Sequence, residues 1–285
     1  MLSFLYVTDL HGWTKGYEEV LQSALDKNIS TIINGGDMLP KGRHLISSQQ
    51  LFIEEYLSSY FESLSASGIH YYGMFGNDDC RSVLCYWQEL LGNYSNVHDL
   101  IESWQNIGEN FIIRGCNYVP DHPFGLKDWS VMDTRDFVRP RQFTYPVISE
   151  QGTFRRIDDI NLFFDMRPTF QELLDDLAEE AQTLNRAILV CHAPPARTDL
   201  GIIADGTEVG SVALRDWIEK HQPLLTLHGH VHESPEVTGE HTAKLGRTTA
   251  HQPGQGIDGT LVYSIVTIDE NEVKIERTKR DLYNK

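Results

Sequence analysis

Cysteine is sparse in this chain, and what there is shows no pattern. Cys80, Cys85, Cys116 and Cys191 make neither a C-x-x-C motif nor a dense framework. That excludes a disulfide-stapled scaffold and suits reduced thiols in a cytoplasmic protein. Long apolar runs are missing too, since none approaches the about 20 residues that a membrane-spanning helix needs. The apolar start, Met1-Leu2-Ser3-Phe4-Leu5-Tyr6-Val7, lacks the basic residues and cleavage site of an export signal. Basic charge is short: 24 Lys and Arg face 41 Asp and Glu, for a net charge of −17. Such a balance argues against a surface that grips nucleic acid or an anionic membrane by charge alone, and the acidic excess reads as a solvated face. Internal repeats, low-complexity linkers and a clear domain boundary are absent as well. With 40% hydrophobic and 23% charged residues over 285 positions, the chain reads as one globular domain spanning 1–285.

What is present begins with alternation. Residues 4–7 read as a buried strand, and 17–27 as a helix with Val20, Leu21, Ala24 and Leu25 at helical spacing. Residues 31–33 follow as a strand broken by Gly35-Gly36. Residues 51–64 are helical, with Phe52, Tyr56, Tyr60 and Leu64 four apart as core spacing, and 69–75 form a third strand broken by Gly76. Strand–helix–strand order predicts a mostly parallel sheet covered by helices, whose ligands bind beyond the carboxyl ends of strands. Residues 111–164, including Phe111-Ile112-Ile113, Val119-Pro120 and Asn161-Leu162-Phe163-Phe164, predict short strands of a second sheet and a long connection. Then come an acidic helix over 168–185, a strand over 187–190, and a helix over 211–220 with Ser211 as N-cap. A strand over 223–227 and a closing hairpin over 259–266 and 273–277 complete the chain.

Five short blocks punctuate those strand ends: Asp9-Leu10-His11, Gly36-Asp37, Gly76-Asn77-Asp78-Asp79, Cys191-His192 and Gly229-His230-Val231-His232. Each is weak alone. Together they supply the carboxylate, imidazole and amide ligands for two adjacent divalent metals. In Asp9-x-His11 and His230-x-His232 an extended backbone would point both side chains one way. A carboxylate has two oxygens and can bridge two cations, which imidazole cannot. Oxygen and nitrogen ligands without thiolate suit Mn, Fe, Ni, Co or Zn. A cleaved leader would remove Asp9 and with it the site, so the expected location is cytoplasmic.

In this order the blocks resemble the calcineurin-like metallophosphoesterase superfamily, whose pattern is D-x-H, G-D, G-N-H-D/E, a lone H, then G-H-x-H. The resemblance implies an α/β fold, an αββα sandwich of two mixed β-sheets flanked by helices. It implies one metal on Asp9, His11 and His232, another on Asn77, His192 and His230, Asp37 as the bridge, and a metal-held hydroxide as nucleophile for a small phosphoester substrate. Four further stretches are similar to a narrower bacterial and archaeal branch: Pro123-Phe124-Gly125-Leu126-Lys127-Asp128-Trp129, the turn from Asp205-Gly206 to Val209-Gly210-Ser211, the segment 228–235, and Pro253-Gly254-Gln255. Phe124 to Trp129 reads either as a strand with buried aromatics or as a wall beside the phosphate site.

The chain departs from the family at Asp78, where the family His contacts phosphate and protonates the leaving group. Nearby cations favour an ionised Asp, which holds no proton and repels the substrate. The expectation is therefore a preference for good leaving groups and for phosphodiesters. His122, His228 or His251 is a candidate replacement for the acid; His44, His70, His98 and His221 read as surface or loop residues. A metal-binding scaffold on the same fold, working through protein contacts, is the alternative from another class. The scaffold has no chemical need for all seven ligands.

Overall fold

The computed structural model describes residues 1–181, 183–256, 259–270 and 272–283. Two mixed six-stranded sheets lie face to face, with helices on the outer side of each. The first sheet runs Glu272–Asp281, Thr260–Asp269, Leu2–Val7, Thr31–Asn34, His70–Gly73, Val97–Asp99. Its last four strands are parallel, and the long C-terminal hairpin pairs antiparallel to Leu2–Val7. The second sheet runs Thr242–Leu245, Thr248–His251, Leu225–Leu227, Ala187–Cys191, Phe111–Cys116, Gln105–Ile107. Here the four inner strands are parallel and both edges antiparallel.

Alternation along each central strand explains the layers, because successive side chains leave opposite faces of a sheet. In the first strand, Phe4 and Tyr6 point into the core between the sheets, where they meet Ile188, Val190 and Leu227 of the second sheet. Leu5 and Val7 point the other way, onto helix Thr14–Asp26 through Tyr17 and Val20. In Ala187–Cys191 the roles repeat: Ile188 and Val190 face inward, while Leu189 and Cys191 meet Leu174, Leu214 and Trp217 of the outer helices Phe170–Glu180 and Val212–His221. Strands covered on both faces read as continuous apolar runs, as these do.

Several elements differ from the sequence reading. The 51–64 helix starts earlier, at Leu45, and runs to Ala66 with a wider π-helical segment at Phe52–Leu57. Phe52 and Tyr56 stack there, rings 4.8 Å apart, against the core. The 168–185 helix is shorter, Phe170–Glu180, because Thr169 and Glu172 form a capping box that sets its start; Gln182 of the expected span lies outside the described residues. Asn161 to Phe164 belong to a helix, Ile160–Asp165, not to a strand. The Asp159 carboxylate accepts the Asn161 and Leu162 N–H groups at 2.9 and 3.0 Å, a cap that sets the start of the helix. Ser211 does cap its helix, accepting the Leu214 N–H at 2.9 Å.

Candidate metal centre

Every ligand expected from the five blocks lies just past the carboxyl end of a parallel strand. Asp9 follows Leu2–Val7, Asp37 follows Thr31–Asn34, and Asn77 follows His70–Gly73. His192 follows Ala187–Cys191, and the His230/His232 pair follows Leu225–Leu227. The turn chemistry is unlike the extended geometry expected for the two spaced pairs. Asp9, His11, Asp37 and His230 all have left-handed backbone, with φ of 58°, 46°, 50° and 70°. Such conformations are uncommon outside glycine and persist where surrounding structure over-determines them. Here backbone bonds do so: Asp9 and His11 N–H donate to the Gly36 and Asp37 carbonyls at 2.9 and 2.8 Å. The pairs converge through these turns, not through strand alternation.

The side chains form two adjoining groups. Asp9, His11, Asp37 and His232 offer ligand atoms all within 4.8 Å of one another. Beside them the Asn77 side-chain oxygen lies 2.6 Å from His230 Nδ1 and 3.1 Å from His192 Nε2. Asp37 belongs to both groups, its Oδ2 being 3.8 Å from His11 Nε2 and 3.4 Å from His192 Nε2. The donor set fits divalent cations on structural grounds. His11 and His232 turn Nε2 atoms toward each other at 3.1 Å, and the buried His11 Nδ1 has no partner among the described residues. Nitrogens so aimed at two buried carboxylates leave lone pairs that a cation would satisfy. His192 donates from Nδ1 to the Gly35 carbonyl at 2.8 Å, which leaves Nε2 free as a ligand atom.

Charge in the cluster is strongly coupled. Burial would raise the Asp9 and Asp37 carboxyls, but His232 and His192 hold Asp9 below the usual range, and His192 and His11 do the same for Asp37. Burial would lower His192, yet Asp37, Asp9 and the Gly35 carbonyl push it up to about 9. In His11 and His230 burial wins, and both fall to about 4.

Asp78, the departure from the family pattern, stands beside the centre. Its backbone N–H donates to Asp37 Oδ1 at 2.8 Å, and its carboxylate meets Lys41 Nζ at 2.7 Å. Burial and Asp37 raise the Asp78 carboxyl while Lys41 opposes them. The unbalanced anion expected from sequence is thus compensated by a cation that sequence did not point to. Gln49, fully buried, joins the two loops: Nε2 donates to the Asp78 carbonyl at 2.8 Å and the Pro40 carbonyl at 3.3 Å, and Oε1 accepts the Cys80 N–H at 2.7 Å. Asp79 completes the clamp by accepting the Met38, Leu39 and Gly76 N–H groups at 3.0, 2.9 and 2.8 Å. Lys41 and Gln49 carry no local signal; Asp79 had only its place in the Gly76–Asp79 block.

Of the three histidines weighed as replacement acid, only His122 stands beside the ligands. Its ring centre is 6.0 Å from that of His230, Nε2 is 3.0 Å from Ser130 Oγ, and the buried Nδ1 has no partner among the described residues. His228 is tied to the Cys191 and Ala193 carbonyls and Thr226 Oγ1, and His251 to the His241 carbonyl and Ser264 Oγ. The Phe124 to Trp129 stretch is not a strand, and the Phe124 ring lies 5.7 Å from that of His122, which in turn neighbours His230. Phe124 is 56% exposed, while Lys127, Asp128 and Trp129 are buried struts. Lys127 Nζ bonds Asp121 Oδ1 at 2.7 Å, Asp128 accepts the Arg81 and Ser149 N–H groups, each at 2.7 Å, and Trp129 Nε1 donates to the Asp79 carbonyl at 2.7 Å.

Among the described residues, no helix is long and apolar enough to cross a membrane. The calcineurin-like phosphoesterase family model matches residues 2–234. No curated protein matches the sequence. Among solved structures, TT1561 of Thermus thermophilus is similar with a TM-score of 0.57 at 15% identity, covering 96% of this chain and 98% of that one. A dimetal phosphatase from Danio rerio is similar with a TM-score of 0.50 at 10% identity, covering 98% of each chain. At these identities the likeness speaks for the fold. The family match runs from the first strand through the last histidine pair, and the chain belongs to the calcineurin-like phosphoesterases, as a metal-dependent phosphoester hydrolase.

Proposed function

We propose that the protein hydrolyses a phosphodiester at a dinuclear centre, with Asp9, His11 and His232 on one cation, Asn77, His192 and His230 on the other, and Asp37 between them. The observation that carries this reading is the place of Asp37 Oδ2, 3.8 Å from an imidazole of the first group and 3.4 Å from one of the second. Divalent cations held there would supply the Lewis acidity that activates a water for attack and neutralises phosphoryl oxygens. The protein's own residues do the rest. Gly35 orients His192, Asp9 accepts the His230 N–H at 3.1 Å, and the Asp79 clamp keeps the Asp37 and Asn77 loops in register.

The Lys41–Asp78 pair supports the diester. At the family's histidine position it brings no net positive charge, which disfavours a dianionic monoester more than a monoanionic diester. Hydrolysis of bis-p-nitrophenyl phosphate and p-nitrophenyl phosphate with added Mn, in wild type and Asp37→Asn, tests the reading. Diester turnover that exceeds monoester turnover and disappears in the variant is expected. Equal turnover in the variant would remove the dinuclear reading, and a monoester preference would remove the diester one.

A further inference from the structure

A cavity of about 500 Å³ opens beside the first ligand group, and Asp9, His11 and His232 form part of its wall. Its far side is of different chemistry: Trp13, Lys15 and Tyr283 line it. The volume lies in the range that takes a small organic ligand. The Trp13 indole is half-buried and its N–H makes no hydrogen bond among the described residues. Its ring packs over Gly16, the third residue of helix Thr14–Asp26, so it is held by the fold while one side faces the cavity. Tyr283 comes from the opposite end of the chain. It is 68% exposed, and its ring lies across the Gly259 backbone, where an added Cβ would meet Cδ2 at 2.4 Å. The neighbouring Leu282 N–H donates to the Gly259 carbonyl at 2.9 Å, which fixes the segment that carries the ring. Lys15 is exposed and has no ion-pair partner among the described residues.

Two aromatic rings at a ligand-sized cavity, one with an open face and both anchored by backbone, make a surface for a planar π-system. A lysine lines the same cavity, in a protein of net charge −17. We propose that this cavity binds the aromatic part of the substrate, a nucleobase or aryl ring attached to the phosphoester, by stacking on Trp13 and Tyr283, with Lys15 meeting an oxygen on that group. This rests on the phosphoesterase reading and narrows its substrate to nucleotide-like or aryl esters. Because Asp9, His11 and His232 line the same cavity, the phosphate of a ring seated there would reach the candidate metal ligands.

The test is calorimetric binding of adenosine 5′-monophosphate and ribose 5-phosphate to the Mn-loaded full chain. The two ligands share sugar and phosphate and differ only in the base. The monophosphate is expected to bind about 10-fold tighter or more, from stacking alone. In Trp13→Leu, which keeps apolar bulk, and in Tyr283→Ala, at an exposed position, the ratio should fall toward one while manganese content stays as in wild type. Equal affinity of the two ligands for wild type would overturn the cavity proposal and leave the phosphate site standing. A ratio that survives both substitutions would overturn it too. Absence of binding by either ligand would overturn the cavity proposal, while turnover of bis-p-nitrophenyl phosphate tests the phosphoesterase reading separately.

Discussion

Lys41 Nζ lies 2.7 Å from the Asp78 carboxylate, and a single buried residue, Gln49, bonds to both of their loops. The pair includes Asp78, the residue at which the sequence reading expects a histidine. Its charge reaches the metal cluster, since Lys41 acts on Asp37, His11 and His232. With Asp78 engaged, no imidazole at this position protonates a departing alkoxide. Asp78→His should therefore raise turnover of alkyl phosphoesters relative to p-nitrophenyl esters, by roughly the 10²-fold lower end of general acid catalysis. Steady-state kcat on both ester classes measures it. A ratio unchanged by the substitution would show that leaving-group protonation is supplied elsewhere.

Gly76 faces Asp37 more closely than a side chain allows. A Cβ at this position would meet Asp37 Oδ1 at 2.3 Å and Asp37 N at 2.4 Å. Because the obstacle includes backbone, the neighbour cannot swing aside. Gly76→Ala is expected to displace the Asp37 carboxylate and cut activity by more than the about 10–100-fold typical of outer-shell substitutions at metal sites. Metal content by atomic absorption should fall in step. Full metal content with full activity would mean that the Asp37 loop shifts freely, against the clamp that Asp79 makes.

Metal binding should release protons, and the sign follows from His192. Its imidazole, pushed up to about 9, carries a proton in the metal-free protein at neutral pH, and a ligand must be neutral. Affinity is therefore expected to rise with pH up to about 9, approaching tenfold per unit, and to level off above it. His232 is raised as well and adds to the release, whereas His11 and His230, lowered to about 4, are already neutral. For folding of the metal-free chain the raised His192 contributes stability that is complete below the unfolded value of 6.5 and lost as pH rises through about 9. Calorimetry in two buffers of different ionisation enthalpy counts the protons; a release of none at pH 7 would contradict this.

Lys127 and Asp121 form a fully buried ion pair, 2.7 Å apart, that also carries the loop of His122. Removing one partner leaves a charge stranded in the interior. Lys127→Met is expected to cost about 3–5 kcal/mol of stability, read as a fall in the urea midpoint. The doubly substituted Lys127→Met/Asp121→Leu should recover part of that loss, since neither charge then remains.

The sequence by itself placed most of the strands and the candidate ligands that follow them. Apolar runs such as Ile188 to Val190 must be covered on both faces, and Asp9, Asp37, His192 and the His230/His232 pair follow such runs directly. Those signals are local, readable from spacing within a few residues. The tertiary structure alone decided what surrounds the ligands. The left-handed turns at Asp9 and His230 are held by bonds to chain 27 or more residues away, Asp9 N–H to the Gly36 carbonyl and His230 N–H to Asp9 Oδ1. Lys41 meets Asp78, Trp129 reaches the Asp79 carbonyl, and Trp13 shares a cavity with Tyr283, each across dozens of residues or more. The helix at Ile160–Asp165 starts at a cap from Asp159, against its β-favouring composition. Periodicity reports which face of an element is buried; which distant loop arrives to pair a charge depends on how the two sheets stack, and that is settled only when the whole core closes.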